Sequence, residues 1–378
     1  MRAVEVAIVG AGVSGLSIAL HLRERGIGPV VVFERSGVNA GASGVQPGGV
    51  RRQWSSREHC LLARESYAYY LELGARLAPS TNPLLEPCGY LFVAHSTGKL
   101  EELRANVELQ NALGIPSELI EPARVAEIVP GLDPSSLTGA AWCASDGYFD
   151  LPQSVVEAFA EAAWRAGAQL EIAEVLELRR DEGGWRVRLA GDEFQARHVV
   201  LAAGFDSRAL AAPLGLELPI VNEQRFLFLS QPVRERLLEP LLVSAERRFA
   251  AKQLANGRVL ASDLGATGDP DAGRALWRRT VRAGIEELTP ILSFVAFDVL
   301  IDGFYDVTPD HREILGPVAG YPGLWLATGF SGHGFMMAPA VGRALADWIA
   351  GEDPGEAAAS FVFERFGRDH LRPETQVV

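Results

Sequence analysis

The stretch VEVAIVGAGVSGLSIALHLRERG, residues 4–26, decides the fold of this chain. Its first six residues are mostly apolar β-formers, which favours a buried parallel strand. Three glycines then interrupt the strand pattern, and apolar residues recur at helical spacing until Gly26, a typical helix stop. A second apolar strand is predicted over residues 30–33. The sequence therefore predicts a strand, a glycine turn, a helix and a strand in that order.

This order of elements meets the requirements of a dinucleotide pyrophosphate. Gly10 allows the tight turn, Gly12 lets the backbone approach the phosphates, and Gly15 lets the helix pack closely on the strand. The helix N-terminus offers free N–H groups and a positive dipole to the phosphates. Glu34 ends the second strand, where a carboxylate can accept hydrogen bonds from both ribose hydroxyls. The unit predicts a dinucleotide site without distinguishing FAD from NAD.

The composition excludes several kinds of partner. The chain has 378 residues, with 35 Lys and Arg against 48 Asp and Glu, and its net charge of −13 repels nucleic acids and anionic membranes. The uncharged stretch 6–20 is too short to span a bilayer. Three scattered cysteines argue against a disulfide framework or a metal site. We expect a cytoplasmic protein without a metal, a nucleic-acid partner or a membrane partner.

Three later segments combine apolar strands or small residues with glycine-rich turns. Residues 41–53, GASGVQPGGVRRQ, are rich in small residues, which let a chain lie against a cofactor. Residues 199–204, VVLAAG, indicate a buried strand that ends in glycine. Residues 324–335 combine an apolar strand with the turn GFSGHGF, and a helix is predicted over residues 336–349.

A fourth segment, DGYFD at residues 146–150, precedes a helix predicted over 151–167 and a strand predicted over 170–175. Together these motifs resemble the D-amino acid oxidase superfamily of flavoenzymes, in the branch with glycine oxidase, sarcosine oxidase and related amine dehydrogenases. The resemblance runs from residue 4 to about residue 350. It implies FAD as cofactor and a C-terminal helix whose N-terminus points at the flavin, where it stabilises negative charge on the reduced ring.

The resemblance also assigns residues to the cofactor. FAD is expected to bind non-covalently, because Gly303 stands where monomeric sarcosine oxidases carry the cysteine that links the flavin. The predicted cofactor-binding residues are Gly10, Gly12, Val13, Ser14, Gly15, Glu34, Arg35, Ala42, Ser43, Gly48, Gly49, Val175, Ala203, Gly204, Gly329, Gly332, His333, Gly334, Phe335 and Met336.

The predicted fold class is α/β, with a discontinuous Rossmann-like FAD-binding domain and an α+β substrate domain built on a mainly antiparallel sheet. The FAD-binding domain is expected over residues 1–84, 145–217 and 305–378, and the substrate-binding domain over 85–144 and 218–304. The features expected in the second domain are β-type stretches at 90–94, 225–230 and 293–301, a hairpin around Asn256-Gly257, and an exposed loop at 265–273.

In the resembled family, a substrate that carries an amine and a carboxylate lies over the flavin, and the carboxylate requires a cation. Tyr305 stands where glycine oxidases have an arginine. Sarcosine oxidases instead use an arginine from the loop below the flavin. The matching segment here, residues 41–53, is called the flavin loop below, and it contains Arg51 and Arg52. We predict Arg52 or Arg51 as the clamp, against a flavin-contacting or surface-paired arginine. Tyr305 is predicted to contact the substrate or to be a core tyrosine. His333 is predicted to contact the flavin or substrate, or to be held by backbone hydrogen bonds.

The two lysines of the chain bear on the reaction with oxygen. Sarcosine oxidases use a lysine near the flavin to activate oxygen, and the aligned residue here is Val259. Lys252 lies nearby on the predicted hairpin arm, where a solvated lysine is expected rather than a catalytic one.

These features predict an FAD-dependent oxidase or dehydrogenase that oxidises the C–N bond of glycine, an N-substituted glycine or another small amino acid. The electron acceptor would be O2 or another oxidant. Two alternatives stay open: an α-hydroxy acid oxidoreductase of the same superfamily, and a subunit that holds FAD within a multi-subunit dehydrogenase. A homo-oligomeric assembly is also left open.

Overall fold

The computed structural model describes residues 2–367 and 370–377. The strands are β1 (Arg2–Val9), β2 (Val30–Glu34), β3 (Gly49–Val50), β4 (Leu85–Glu86), β5 (Tyr90–Ala94), β6 (Glu118–Ile120), β7 (Gly139–Cys143), β8 (Gly147–Phe149), β9 (Gln169–Ile172), β10 (Glu177–Asp181), β11 (Gly184–Arg188), β12 (Glu193–Leu201), β13 (Val221–Ser230), β14 (Leu241–Ser244), β15 (Phe249–Gln253), β16 (Val259–Asp263), β17 (Phe297–Val307), β18 (Ile314–Pro317) and β19 (Leu324–Thr328). The α-helices are α1 (Val13–Glu24), α2 (Ala42–Val45), α3 (Arg57–Leu71), α4 (Leu73–Leu77), α5 (Thr97–Ala112), α6 (Pro122–Ile128), α7 (Pro152–Arg165), α8 (Ser207–Ala211), α9 (Pro270–Leu288), α10 (Gly334–Ala350) and α11 (Glu356–Ala359).

A parallel sheet forms the first layer, in the order β9-β2-β1-β12-β19. The hairpin β10–β11 and the edge strand β18 extend it with antiparallel pairs. Val6, Ala7 and Ile8 are completely buried in the middle strand, and the apolar residues of α1, α7 and α10 join its core. A strand buried on both faces reads as a continuous apolar run, as the start of the sequence does.

Three strands of this sheet end at the glycine turn. The Gly10 N–H donates to the Phe33 carbonyl at 2.8 Å, and the Ala202 N–H donates to the Val9 carbonyl at 2.9 Å. Gly10 has a φ of +110°, which side chains rarely tolerate. A Cβ at Gly15 would lie 2.1 Å from the Gly10 carbonyl oxygen, so α1 can follow the turn this closely only with glycine at this position.

The second layer is an eight-stranded sheet in the order β17-β13-β16-β15-β14-β5-β7-β6. All its pairs are antiparallel except the parallel pair β5–β14. One face packs against α9, where the rings of Trp277 and Phe226 stack with centroids 4.1 Å apart. β3, β8 and β4 form a third, small sheet. The α/β fold class and the mainly antiparallel second sheet are therefore confirmed.

Several boundaries differ from the prediction. The strand expected over 293–301 begins at Phe297 and continues to Val307, across the expected domain boundary at residue 305. A short 3-10 turn, Pro290–Leu292, delays its start because the N–H groups of Ser293 and Val295 bond back into that turn. The loop expected over 265–273 is also wrong in part, since α9 begins at Pro270. Within residues 2–367 and 370–377, no helix has both the length and the apolar character needed to cross a bilayer.

Candidate functional site

A cavity of about 550 Å³ lies between the carboxyl ends of the parallel strands and the uncovered face of the antiparallel sheet. Gly10 and Glu34 line one end, and Lys252, Tyr305 and Phe335 line other parts of the wall. Ligand sites in open α/β sheets lie outside the carboxyl ends of the strands. The cavity therefore extends from the predicted dinucleotide turn to the surface that the second sheet presents.

The turn leaves room for a dinucleotide backbone. A Cβ at Gly12 would lie 3.2 Å from Ser43 Oγ, so glycine at this position leaves that space open. Ser43 Oγ accepts the Val13 N–H at 3.1 Å, and Glu34 Oε2 accepts the Ala11 N–H at 3.0 Å. A glycine-lined cradle at a helix N-terminus offers the N–H donors that a pyrophosphate requires, and the strand-end carboxylate offers the acceptor that ribose hydroxyls require. The residues present thus fit FAD.

Most of the predicted cofactor-binding residues line this cavity. Gly48 and Gly49 instead attach the flavin loop to β8, because a Cβ at Gly48 would lie 2.5 Å from the Phe149 carbonyl oxygen and Gly49 pairs with Tyr148. The predicted residues that line the cavity are Gly10, Gly12, Val13, Ser14, Glu34, Arg35, Ala42, Ser43, Val175, Ala203, Gly204, Gly332, Gly334 and Phe335. Those outside its lining are Gly15, Gly48, Gly49, Gly329, His333 and Met336.

Arg51 and Arg52 lie outside the cavity lining, and protein groups bind both. The buried Arg51 guanidinium donates to the backbone carbonyls of Gln53 and Gln376 and stacks 3.6 Å from the Trp54 ring centroid. Arg52 donates from its Nε to Asp146 Oδ1 at 2.7 Å, and its backbone N–H donates to Asp146 Oδ2 at 2.8 Å. The carboxylate clamp expected of these arginines stays a prediction.

Lys252 is not solvated, and the expectation from the sequence is wrong here. Only 2% of its surface is exposed, and it lines the cavity. Its ammonium group donates to the Pro47 carbonyl and lies 3.9 Å from the centroid of the Tyr148 ring. Burial lowers the pKa of Lys252 to about 7. The flavin loop and DGYFD segment cover this arm of the hairpin, and neither is adjacent to it in sequence.

Tyr305 and Arg225 share another part of the cavity wall. Tyr305 is partly buried. A Cβ at Gly332 would lie 2.4 Å from the Tyr305 ring, so the ring occupies the space that a side chain at residue 332 would need. Arg225, a residue that the sequence analysis missed, lies with its guanidinium carbon 5.1 Å from the centroid of the Tyr305 ring. Its Nη2 donates to Glu223 Oε2 at 2.6 Å. The alternation of side chains along β13 could have identified Arg225, because Arg225 and Leu227 lie on the same face of the strand and both line the cavity.

His333 is buried behind the C-terminal turn rather than in the cavity lining. Among the described residues neither ring nitrogen has a hydrogen-bond partner, so its ring is not held by backbone hydrogen bonds. The ring packs edge-on against Trp54, with centroids 4.4 Å apart. Burial, together with the neighbouring His59 and Arg51 charges, lowers the pKa of His333 to about 3. The flavin or substrate contact expected of His333 stays a prediction.

His59 lies beside His333 in an opposite electrostatic setting. Its Nε2 is 2.8 Å from Glu313 Oε2, and its Nδ1 is 3.3 Å from Glu374 Oε2. Burial alone would lower the pKa of His59, but the two carboxylates raise it to about 9. His59 is therefore an imidazolium between two buried carboxylates at neutral pH.

This imidazolium predicts a loss of stability at alkaline pH. An unfolded histidine has a pKa near 6.5, so the contribution of His59 is complete below about that pH and is lost as pH rises through about 9. Between pH 7 and pH 9 the melting temperature of the wild type should fall more steeply than that of His59→Gln. His370→Gln, which changes an exposed histidine, should follow the wild-type profile. Parallel profiles for the wild type and His59→Gln would contradict the charged state assigned here.

Comparisons with known proteins agree with this geometry. Residues 5–348 match the DAO model, described as FAD dependent oxidoreductase. Glycine oxidase of Pseudomonas aeruginosa is 30% identical over 364 residues, which cover 92% of this chain and 95% of that protein. The crystal structure of L-proline dehydrogenase from P. horikoshii superposes with a TM-score of 0.89 at 26% identity, covering 98% of this chain and 100% of that one.

Other relatives are longer than this chain. The 4-methylaminobutanoate oxidase (formaldehyde-forming) of Paenarthrobacter nicotinovorans is 24% identical over 394 residues, which cover 99% of this chain but 47% of that protein. Human mitochondrial dimethylglycine dehydrogenase is 26% identical, with 93% of this chain and 43% of that protein covered. The chain thus spans about half the length of these two relatives and nearly the whole length of the glycine oxidase.

Proposed function

The chain belongs to the DAO family of FAD-dependent oxidoreductases, and on this premise we propose that it oxidises the C–N bond of a small amino acid or an N-substituted glycine. One observation carries the proposal. A single cavity joins a dinucleotide turn to a wall with an aromatic hydroxyl and a buried ammonium group, Tyr305 and Lys252. A substrate with both an amine and a carboxylate matches these two kinds of group.

Bound FAD would supply the two-electron oxidation as the hydride acceptor. The hydride comes from the carbon next to nitrogen, and the nitrogen lone pair forms the C=N bond of an imine. Water then adds to the imine carbon, and the amine leaves, which yields a carbonyl product. The electrons pass finally to O2 or another acceptor. The protein contributes orientation and the exclusion of water rather than a nucleophile.

The lining also supports non-covalent attachment of FAD. Among the described residues that line the cavity none is a cysteine. Gly303 stands where monomeric sarcosine oxidases carry the cysteine that links the flavin. A Cβ at this position would lie 2.8 Å from Val45 Cγ2 of the flavin loop. We therefore expect acid precipitation to release all of the flavin into solution.

Product analysis tests the proposed function. The FAD-loaded protein is incubated with glycine, N-methylglycine, proline and the matching α-hydroxy acids in the presence of O2 or an artificial acceptor. Turnover of glycine or N-methylglycine with release of ammonia or an amine and a carbonyl product supports the proposal, and so does oxidation of proline to its cyclic imine, which releases no nitrogen. Turnover confined to hydroxy acids, with no nitrogen released, would establish the α-hydroxy acid alternative. Flavin that stays oxidised with every compound would favour a subunit that holds FAD for a partner.

A further inference from the structure

Among the described residues, three cationic side chains line the cavity, and two of them have carboxylate partners. Arg35 lies beside Glu34 at the dinucleotide end, and its Nη2 is 2.8 Å from Asp206 Oδ2. Arg225 is bound to Glu223 at 2.6 Å. Lys252 forms no salt bridge with any Asp or Glu of the described chain. It is therefore the cavity cation without a paired carboxylate, and Asp150 and Glu86 favour its charged form only from beyond salt-bridge distance.

The register of the second sheet fixes where Lys252 points. Along β15, Phe249 and Ala251 belong to the core beneath α9, so Ala250 and Lys252 belong to the opposite face. Both of these residues line the cavity, together with Leu260, the cross-strand partner of Lys252. A shift of one residue would bury the ammonium group in the apolar core, so the hydrophobic pattern of β15 holds the cation at the cavity.

Two contacts hold the ammonium group at this wall. The Pro47 carbonyl accepts one of its N–H groups, and the face of Tyr148 lies 3.9 Å from Nζ. The Tyr148 ring is itself fixed, because its hydroxyl donates to the Gln253 carbonyl and accepts from Arg236 Nη2 at 2.7 Å. An ammonium group has three N–H donors, and an aromatic face stabilises its positive charge. Donors thus remain for a ligand.

We propose that Lys252 binds the carboxylate of the substrate and so selects acids over simple amines, an assignment that rests on the function proposed above. The carboxylate oxygens would accept the ammonium N–H groups that the Pro47 carbonyl leaves free. Burial penalises the charged form of Lys252, as its lowered pKa reflects. An anion that enters the cavity reverses this penalty, because opposite charges favour each other strongly where water is excluded.

Ligand binding without turnover tests this assignment. FAD-loaded wild type and Lys252→Met are titrated with acetate and propionate, and binding is followed by calorimetry and by the flavin spectrum. A charge-assisted hydrogen bond predicts that the variant binds these carboxylates about 10- to 150-fold more weakly. Acetamide, which has no charge, should bind both proteins equally. Lys99→Met serves as the matched control, since Lys99 pairs with Glu102 on α5 and does not line the cavity.

Each outcome decides the assignment. If the wild type and Lys252→Met bind each carboxylate with affinities that differ by less than about twofold, the assignment is overturned. It is also overturned if the wild type binds neither acetate nor propionate. Lys252→Gln replaces the methionine variant if the latter does not retain FAD. The result is independent of turnover: carboxylates that bind through Lys252 to a protein whose flavin no amine reduces would uphold this assignment and refute the proposed function.

Discussion

Gly10→Ala is expected to lower FAD affinity by about 5- to 150-fold, which corresponds to about 1–3 kcal/mol of backbone strain at the turn. The new Cβ would lie 2.4 Å from the Ala202 carbonyl oxygen, closer than a Cβ packs against any other atom, and the backbone there has a φ of +110°. The turn must shift to relieve both, and the cavity wall shifts with it. The measurement is the FAD content after purification, followed by titration of the apoprotein with FAD.

Gly26→Ala tests the effect of a side chain at a positive φ without a close contact of the new Cβ. Gly26 also has a positive φ, +73°, but no atom lies within 4 Å of its Cβ position. This variant should lose about 1 kcal/mol of stability and keep the FAD affinity of the wild type. Equal FAD affinity in Gly10→Ala and the wild type would show that the turn does not hold the cofactor.

Asp146→Ala is expected to lower the free energy of unfolding by about 3–5 kcal/mol, because it leaves the Arg52 guanidinium buried without its carboxylate. Asp146 is completely buried and accepts from both the side chain and the backbone N–H of Arg52. Arg52 belongs to the segment 41–53 and Asp146 to the DGYFD segment, two of the motifs that carry the family resemblance. The measurement is urea unfolding of the FAD-loaded protein.

Two further variants test whether the loss of stability comes from the buried pair of Asp146 and Arg52. Glu127→Ala removes an exposed ion pair with Arg124 and should change the free energy of unfolding by less than about 1 kcal/mol. The double variant Asp146→Ala with Arg52→Met should recover much of the lost stability, because no charge is then left buried. A single variant Asp146→Ala that unfolds like the wild type would contradict the structural role of this pair.

The parts of the fold that the sequence predicted depend on local patterns. The glycine turn and strands β5 and β19 are as predicted, because alternation, apolar runs and glycines act within a few residues. α9 was missed because the glycines before it and Pro270 at its first position suggested a loop. Proline at the first helical turn and the Asp269 side chain that accepts the Asp271 N–H instead begin a helix there.

The candidate site was predictable at its cofactor end and much less so at the other. Lys252 was assigned to solvent because its neighbours along the chain form an ordinary hairpin. The Pro47 carbonyl that binds it lies 205 residues away, and the covering Tyr148 ring comes from another segment. Arg51 was one of two arginines predicted to bind the substrate carboxylate, and its acceptor at Gln376, which the sequence did not indicate, lies 325 residues away. Such partners follow from tertiary packing, which residue spacing does not encode.

Anaerobic reduction of the bound flavin tests whether the protein oxidises an amine-bearing acid. The FAD-loaded protein is mixed without oxygen with glycine, N-substituted glycines, other small amino acids and α-hydroxy acids, and the visible flavin absorbance is followed. Dithionite serves as the control that the flavin can be reduced. We expect at least one amine-bearing acid to bleach the flavin and the matching hydroxy acid to leave it oxidised. Flavin that dithionite reduces but that no amine bleaches would contradict this expectation.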